Sequence, residues 1–243
     1  MRAASFEQAH RRPHHGFLHA LPALIQLIPR LVTIAVLAVT FMVFTVVISL
    51  GWLGTADHDV LVFMSGLWNE NFHPLFQGIA LLGGIELTTL LMVALVAFLF
   101  SRGYAADAWV FVTFVAAEVF ELLYKYNLVH PGPPRAAIHA DGPSIADVLT
   151  TPTAPHNSFP SGHMVRTVIV YGLIAFVVRR LAPAQWQRSL AIPVATVIIV
   201  AMAFDRVYLD VHWESDVIGG LLLGAIALVS ATVWLDRPRR AEN

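Results

Sequence analysis

Long apolar stretches separated by short polar turns dominate the chain beyond residue 30. Residues 31–50 are twenty positions without a charge, enough for a helix to cross about 30 Å of hydrocarbon. Further spans are predicted over 84–101, 105–126, 163–181, 189–209 and 213–235, with a tight Arg102-Gly103 turn between the second and third. Residues 54–83 carry Asp57, Asp59 and Glu70 but no Lys or Arg. With Trp68, Phe72 and Phe76 they predict short helices lying at the membrane surface. Residues 17–29 predict a separate short interfacial helix, interrupted by Pro22 and Pro29. The proline- and glycine-rich stretch 128–160 is too long to be a mere connector. The pattern predicts an all-α fold: a six-transmembrane helical bundle with short interfacial helices. It divides into an N-terminal arm (1–30), a bundle domain (31–235) and a basic tail (236–243).

Composition agrees. The chain is 57% hydrophobic and 13% charged, with mean hydropathy +0.69, whereas soluble domains are about a quarter charged. It is therefore expected to be an integral membrane protein. The arm holds His10, His14, His15 and His19 among arginines. A solvated cytoplasmic arm is preferred to a metal-binding tail. The first apolar segment follows a long polar stretch without a small-residue cleavage site, which predicts an anchor rather than a signal peptide. There are no cysteines, which excludes disulfides and thiolate metal sites. A net charge of −1 gives no indication of a nucleic-acid partner.

Charge placement sets an expected orientation. Eleven arginines fall in the arm, at 102, over 179–188 and in the tail, all on one side of a six-span chain. The other side has only Lys125, the single lysine, with Arg135, Arg166 and Arg206. The excess of positive charge predicts cytoplasmic N and C termini. Lys125, His163 and His212 then share the extracytoplasmic face.

These polar residues carry candidate chemistry. His212 and Asp216 are four apart, which on a helix puts them on one face, roughly 6 Å apart at Cβ. A carboxylate there fixes the imidazole tautomer and leaves the second nitrogen free to attack. Pro160-Ser161-Gly162-His163 sets another histidine at the mouth of a span, with helix-start amides that suit an anion. Each piece also has an ordinary reading: a packing pair, a helix start, a lysine snorkelling to the interface. Their joint placement on one face favours function. Glu118 and Glu121 need partners inside a membrane, and Glu121 is four residues before Lys125.

Lys125, then Pro160-Ser161-Gly162-His163, then Arg206-x5-His212-x3-Asp216 resembles the three-part signature of the type 2 phosphatidic acid phosphatase superfamily, which includes vanadium haloperoxidases and glucose-6-phosphatase. The resemblance covers roughly residues 31–235. It implies a metal-independent lipid phosphatase that uses no cofactor, with a phosphohistidine on His212, Asp216 orienting it, and His163 protonating the leaving oxygen. Lys125, Arg206, Ser161 and Gly162 would hold the phosphate. The expected partners are a lipid phosphate and the bilayer, with no nucleic acid; a homo-oligomer is compatible.

The first part departs from the family pattern. Gly132-Pro133 stands where an arginine and proline are expected. Arg135 and Arg166 are candidate replacements, and Arg166 is preferred because a helix fixes its direction. Asp205 stands where the family usually has serine, and is expected to pair with Arg135 or Arg206. Candidate substrates are polyprenyl pyrophosphate, phosphatidic acid and phosphatidylglycerol phosphate, on the outer face of a bacterial plasma membrane. Alternative readings are a lipid phosphotransferase, a zinc hydrolase using His163, His212 and Asp216, and a non-catalytic lipid-binding or transport protein.

Overall fold

The computed structural model describes residues 15–134 and 157–235, with side chains from residue 27 onward. Among these residues every regular element is helical. In chain order they are α1 (His15–Ser49), α2 (Gly54–Leu67), a 3₁₀ turn (Glu70–Phe72), α3 (His73–Gly83), α4 (Ile85–Ser101), a second 3₁₀ turn (Ala105–Trp109), α5 (Val110–Asn127), α6 (Gly162–Leu181), α7 (Gln185–Tyr208) and α8 (Glu214–Leu235).

Two expectations are corrected. The interfacial helix predicted over 17–29 is not separate, because α1 runs unbroken from His15 through both prolines. Proline is tolerated in membrane helices where freed backbone groups find other partners. The third predicted span starts late: residues 105–109 form a 3₁₀ turn before α5.

By length and apolarity, the segments Leu27–Ser49, Gln185–Tyr208 and Glu214–Leu235 can each cross a membrane. Glu70–Gly83 and Ile85–Ser101, bent by 41°, form a fourth candidate as one broken span. Large apolar side chains such as Val39 and Met42 on α1 and Val197 and Val200 on α7 stay exposed, as expected of surfaces that meet lipid rather than water. The protein is a multi-pass membrane protein.

α6 is the central post. It is buried along most of its length and packs chiefly on α7 and α8, with α3, α4 and α5 around it, while α1 lies against α8. Phe159, fully buried just before α6, stacks on Phe41 of α1 and meets Tyr124 of α5 edge-on. At the end of the bundle away from the start of α6, basic residues close the helix termini. Arg30 donates to Thr232 O at 3.1 Å and Arg180 to Leu235 O, satisfying last-turn carbonyls that have no partner within α8.

α6 and α8 approach closely because α8 has small residues where they cross. A Cβ on Gly220 would lie 2.6 Å from the Ser161 carbonyl oxygen and 2.8 Å from Met164 Cβ. Gly220→Ala is predicted to destabilise by about 1–3 kcal/mol, because a backbone oxygen cannot step aside. Gly78→Ala on α3, where nothing lies within 4 Å, is predicted to raise stability by about 0.5–1 kcal/mol through helix propensity. Thermal unfolding of both variants in detergent checks the pair.

Candidate active site

Three separate stretches of chain meet where α5 ends and α6 and α8 begin. Lys125 stands in the last turn of α5, where a cation opposes the negative helix end. Ser161, Gly162 and His163 open α6. Arg206 lies near the end of α7, His212 in the following turn and Asp216 in the first turn of α8.

The four-residue spacing of His212 and Asp216 works differently from the prediction. His212 precedes α8 rather than riding on it. The chain reverses at Asp210, whose φ is 53°, and the Val211 and His212 amides both donate to Arg206 O at 3.3 Å. Asp216 then folds back over the turn. Its Oδ2 lies 3.3 Å from His212 Nδ1 and accepts the Trp213 N–H at 2.9 Å. Nδ1 is thereby held, and Nε2 has no hydrogen bond among the described residues. Burial pulls the imidazole of His212 below its usual pKa, with the hydrogen bond and charge of Asp216 acting in the opposite direction.

A backbone bond joins the second and third motifs: Ser161 N–H donates to Asp216 O at 3.0 Å. The Ser161 hydroxyl makes no capping bond, and its Oγ is fully buried without a partner among the described residues. Such an atom costs stability unless a ligand satisfies it. His163 is within electrostatic reach of Arg206, Arg166, His212 and Lys125, so both histidines sit at one end of the bundle.

Each cation described at this site has an acid beside it. The buried Arg206 donates through Nε, at 2.8 Å, and through Nη2 to Asp205 Oδ2, so the acid in the family's serine position is paired with its neighbour. Lys125 Nζ is 2.6 Å from Glu121 Oε1, as the helical spacing predicts. Arg166 Nη1 is 3.1 Å from Glu118 and 3.5 Å from Glu121. Its Nε donates to Gly83 O at 2.9 Å, the carbonyl at the break between α3 and α4. Nη2 of Arg166 has no partner among the described residues. Glu121 also explains Gly162: a Cβ there would lie 2.3 Å from Glu121 Oε1. Arg135 lies outside the described residues.

Two residues escape sequence reasoning. Asp57 of α2 accepts the Ser215 amide at 2.9 Å and the Ser215 hydroxyl at 2.8 Å, capping the first turn of α8 from another helix. His130 lies against the far oxygen of Asp216. Neither sits in a recognisable local motif; the only signal was an acid-bearing segment without basic residues, and a histidine five positions past Lys125. Among the described residues, no three His, Cys, Asp or Glu side chains group closely enough to hold a metal ion. The zinc reading therefore lacks a ready-made ligand set.

Comparison with known proteins fits this geometry. The family model of the PAP2 superfamily matches residues 106–240. Phosphatidylglycerophosphatase B of Bacillus subtilis (strain 168) is 41% identical over 70 residues, 28% of this chain and 34% of that protein. The putative undecaprenyl-diphosphatase YbjG of Escherichia coli (strain K12) is 40% identical over 80 residues, 33% of this chain and 36% of its own length. The matched part thus spans about a third of each relative. A solved structure of a transmembrane PAP2 type phosphatidylglycerolphosphate phosphatase from Bacillus subtilis superposes with TM-score 0.72 at 22% identity, covering 86% of this chain and 98% of that one. That likeness concerns the fold. With a family match over more than half of its length, covering the α5, α6 and α8 stretches that build the site, the chain belongs to the PAP2 superfamily.

Proposed function

We propose that the protein is an integral membrane lipid phosphatase that hydrolyses a phosphate monoester or pyrophosphate of a lipid through a phosphohistidine. The observation that carries this reading is His212, held through Nδ1 by Asp216 with Nε2 left open, within electrostatic reach of His163, Lys125 and Arg206. The relatives named above, a phosphatidylglycerophosphatase and a putative undecaprenyl-diphosphatase, support the same substrate class.

In the proposed cycle, Nε2 of His212 attacks phosphorus. The N–P bond forms as the bond to the lipid oxygen breaks, and His163 donates a proton to that oxygen. Water then attacks the phosphohistidine, His163 takes its proton, and phosphate leaves. Asp216 balances the charge that develops on His212. Lys125, Arg206, the free Nη2 edge of Arg166 and the Ser161 hydroxyl stabilise the equatorial oxygens, together with the amides at the start of α6. The arginine that the family has at position 132 is replaced by Arg166. No metal takes part in this scheme.

The basic end, with Arg30 and Arg180, lies opposite the site. The proposal includes cytoplasmic termini and six passes, on the excess of arginine in the arm, turns and tail; the site then faces outward, where a lipid head enters while its tails stay in the bilayer.

Phosphate release from a panel of lipid phosphates, by purified protein in chelator-treated buffer, tests the reading. Wild type is expected to turn over at least one lipid, and His212→Ala to lose at least about a thousandfold in kcat. A wild type that binds these lipids without turnover refutes the proposal. Arg166→Ala is expected to lower kcat/KM about 10- to 100-fold, the range for one charge-assisted hydrogen bond; a value near wild type assigns the contact to another group. Because burial lowers the pKa of His212, neutral nucleophile persists into acid. The acid limb of kcat/KM against pH is therefore expected below the usual histidine value of 6.5.

A further inference from the structure

His130 is a third imidazole at the catalytic carboxylate, and neither the family signature nor the proposed cycle uses it. Its Nε2 lies 3.3 Å from Asp216 Oδ1, while Oδ2 of the same carboxylate serves His212 and the Trp213 amide. Asp216 is fully buried, and Oδ1 has no hydrogen bond among the described residues. Nε2 of His130 is likewise buried without a hydrogen bond among the described residues, so each is the group at hand for the other.

The position of His130 is constructed, not incidental. Its amide donates to Asn157 Oδ1 at 2.9 Å, and Asn157 Nδ2 donates in turn to Lys125 O at 2.8 Å. Its carbonyl accepts the Ser158 amide at 2.9 Å and hydroxyl at 3.1 Å. Trp213, next to His212, donates Nε1 to Pro131 O at 2.7 Å. The ring meets Phe159 edge-on at 6.3 Å. Groups in or beside all three motif stretches therefore fix the backbone that carries this imidazole.

Resting on the phosphatase reading, we propose that His130 is a positioning residue. It holds Asp216 Oδ1, keeping Oδ2 on His212 and sharing the carboxylate's charge between two imidazoles. A carboxylate engaged at one oxygen can swing about its terminal torsion; engagement at both oxygens removes that freedom. Among the described residues, the titratable groups facing His130 are Asp216 from α8, His212 beside the same carboxylate, and Asp57 of α2, which lines with it a cavity of about 360 Å³.

The test compares His130→Ala and His130→Gln, the latter bringing an amide donor toward the place of Nε2. His130→Ala is expected to lower kcat about tenfold with KM within about twofold, because positioning acts on the chemical step. With Asp216 left to His212 alone, its charge favours the imidazolium more strongly, so the acid limb should move to higher pH. His130→Gln should restore most of kcat and the wild-type limb. An unchanged kcat, an unmoved limb, or failure of glutamine to rescue overturns the assignment; a purely scaffolding residue gives the last two together with lowered unfolding temperatures. The His212 titration followed by NMR in wild type and His130→Ala reads the same shift without turnover, so a protein inactive on the lipid panel sinks the phosphatase reading while this inference is judged separately.

Discussion

Inside a bundle lined by apolar side chains, a charge is stable only beside its opposite, and that constraint shapes this molecule. Unpaired, each ion would cost several kcal/mol of lost hydration. The bundle answers with local pairs: Arg206 on Asp205, Lys125 on Glu121, Arg166 between Glu118 and Glu121. Of these, the Arg166 pair crosses between helices and ties the start of α6 to α5. The pairs also balance the cations, so under the proposed function an incoming phosphate competes with carboxylates that already hold these groups. Removing one partner of such a pair leaves the other charged and buried, so function and stability are coupled here.

Close backbone packing does the rest of the assembly. Gly162 admits the Glu121 carboxylate and Gly220 admits the Ser161 carbonyl, drawing α5 and α8 onto the start of α6. The Ser161–Asp216 backbone bond then ties the anion-binding turn to the carboxylate that orients His212. Asp57 and His130 add support from α2 and from the loop after α5. Asp216 is consequently met from three parts of the chain, with Asp57 holding its neighbour Ser215, a support that keeps a buried carboxylate in one orientation.

Much of this was legible in the chain itself. Runs of twenty uncharged residues mean membrane helices because the cost of exposing apolar surface and unpaired amides depends on composition and length alone. Helix ends at Ser101, Leu181 and Leu235 fell within the predicted limits for the same reason, and the Glu121–Lys125 pair followed from helical spacing. The chemical types also spoke early: two histidines, an acid and cations at span ends suit phosphate, the chemistry proposed above.

What the residue order could not express was distance across the fold. His130 and Asp216 are 86 positions apart, Asp57 and Ser215 are 158, and Arg166 and Gly83 are 83. Each contact depends on how helices cross, and crossing depends on which side chains interlock, a property of pairs of elements rather than of any one. Local pattern therefore determined the membrane character and most of the helices, and supplied the residue types from which a site is proposed. The tertiary structure decided which acid neutralises which cation, that His212 stands in a turn rather than on a helix, and that a third imidazole lies 3.3 Å from Asp216, because these depend on how the helices cross.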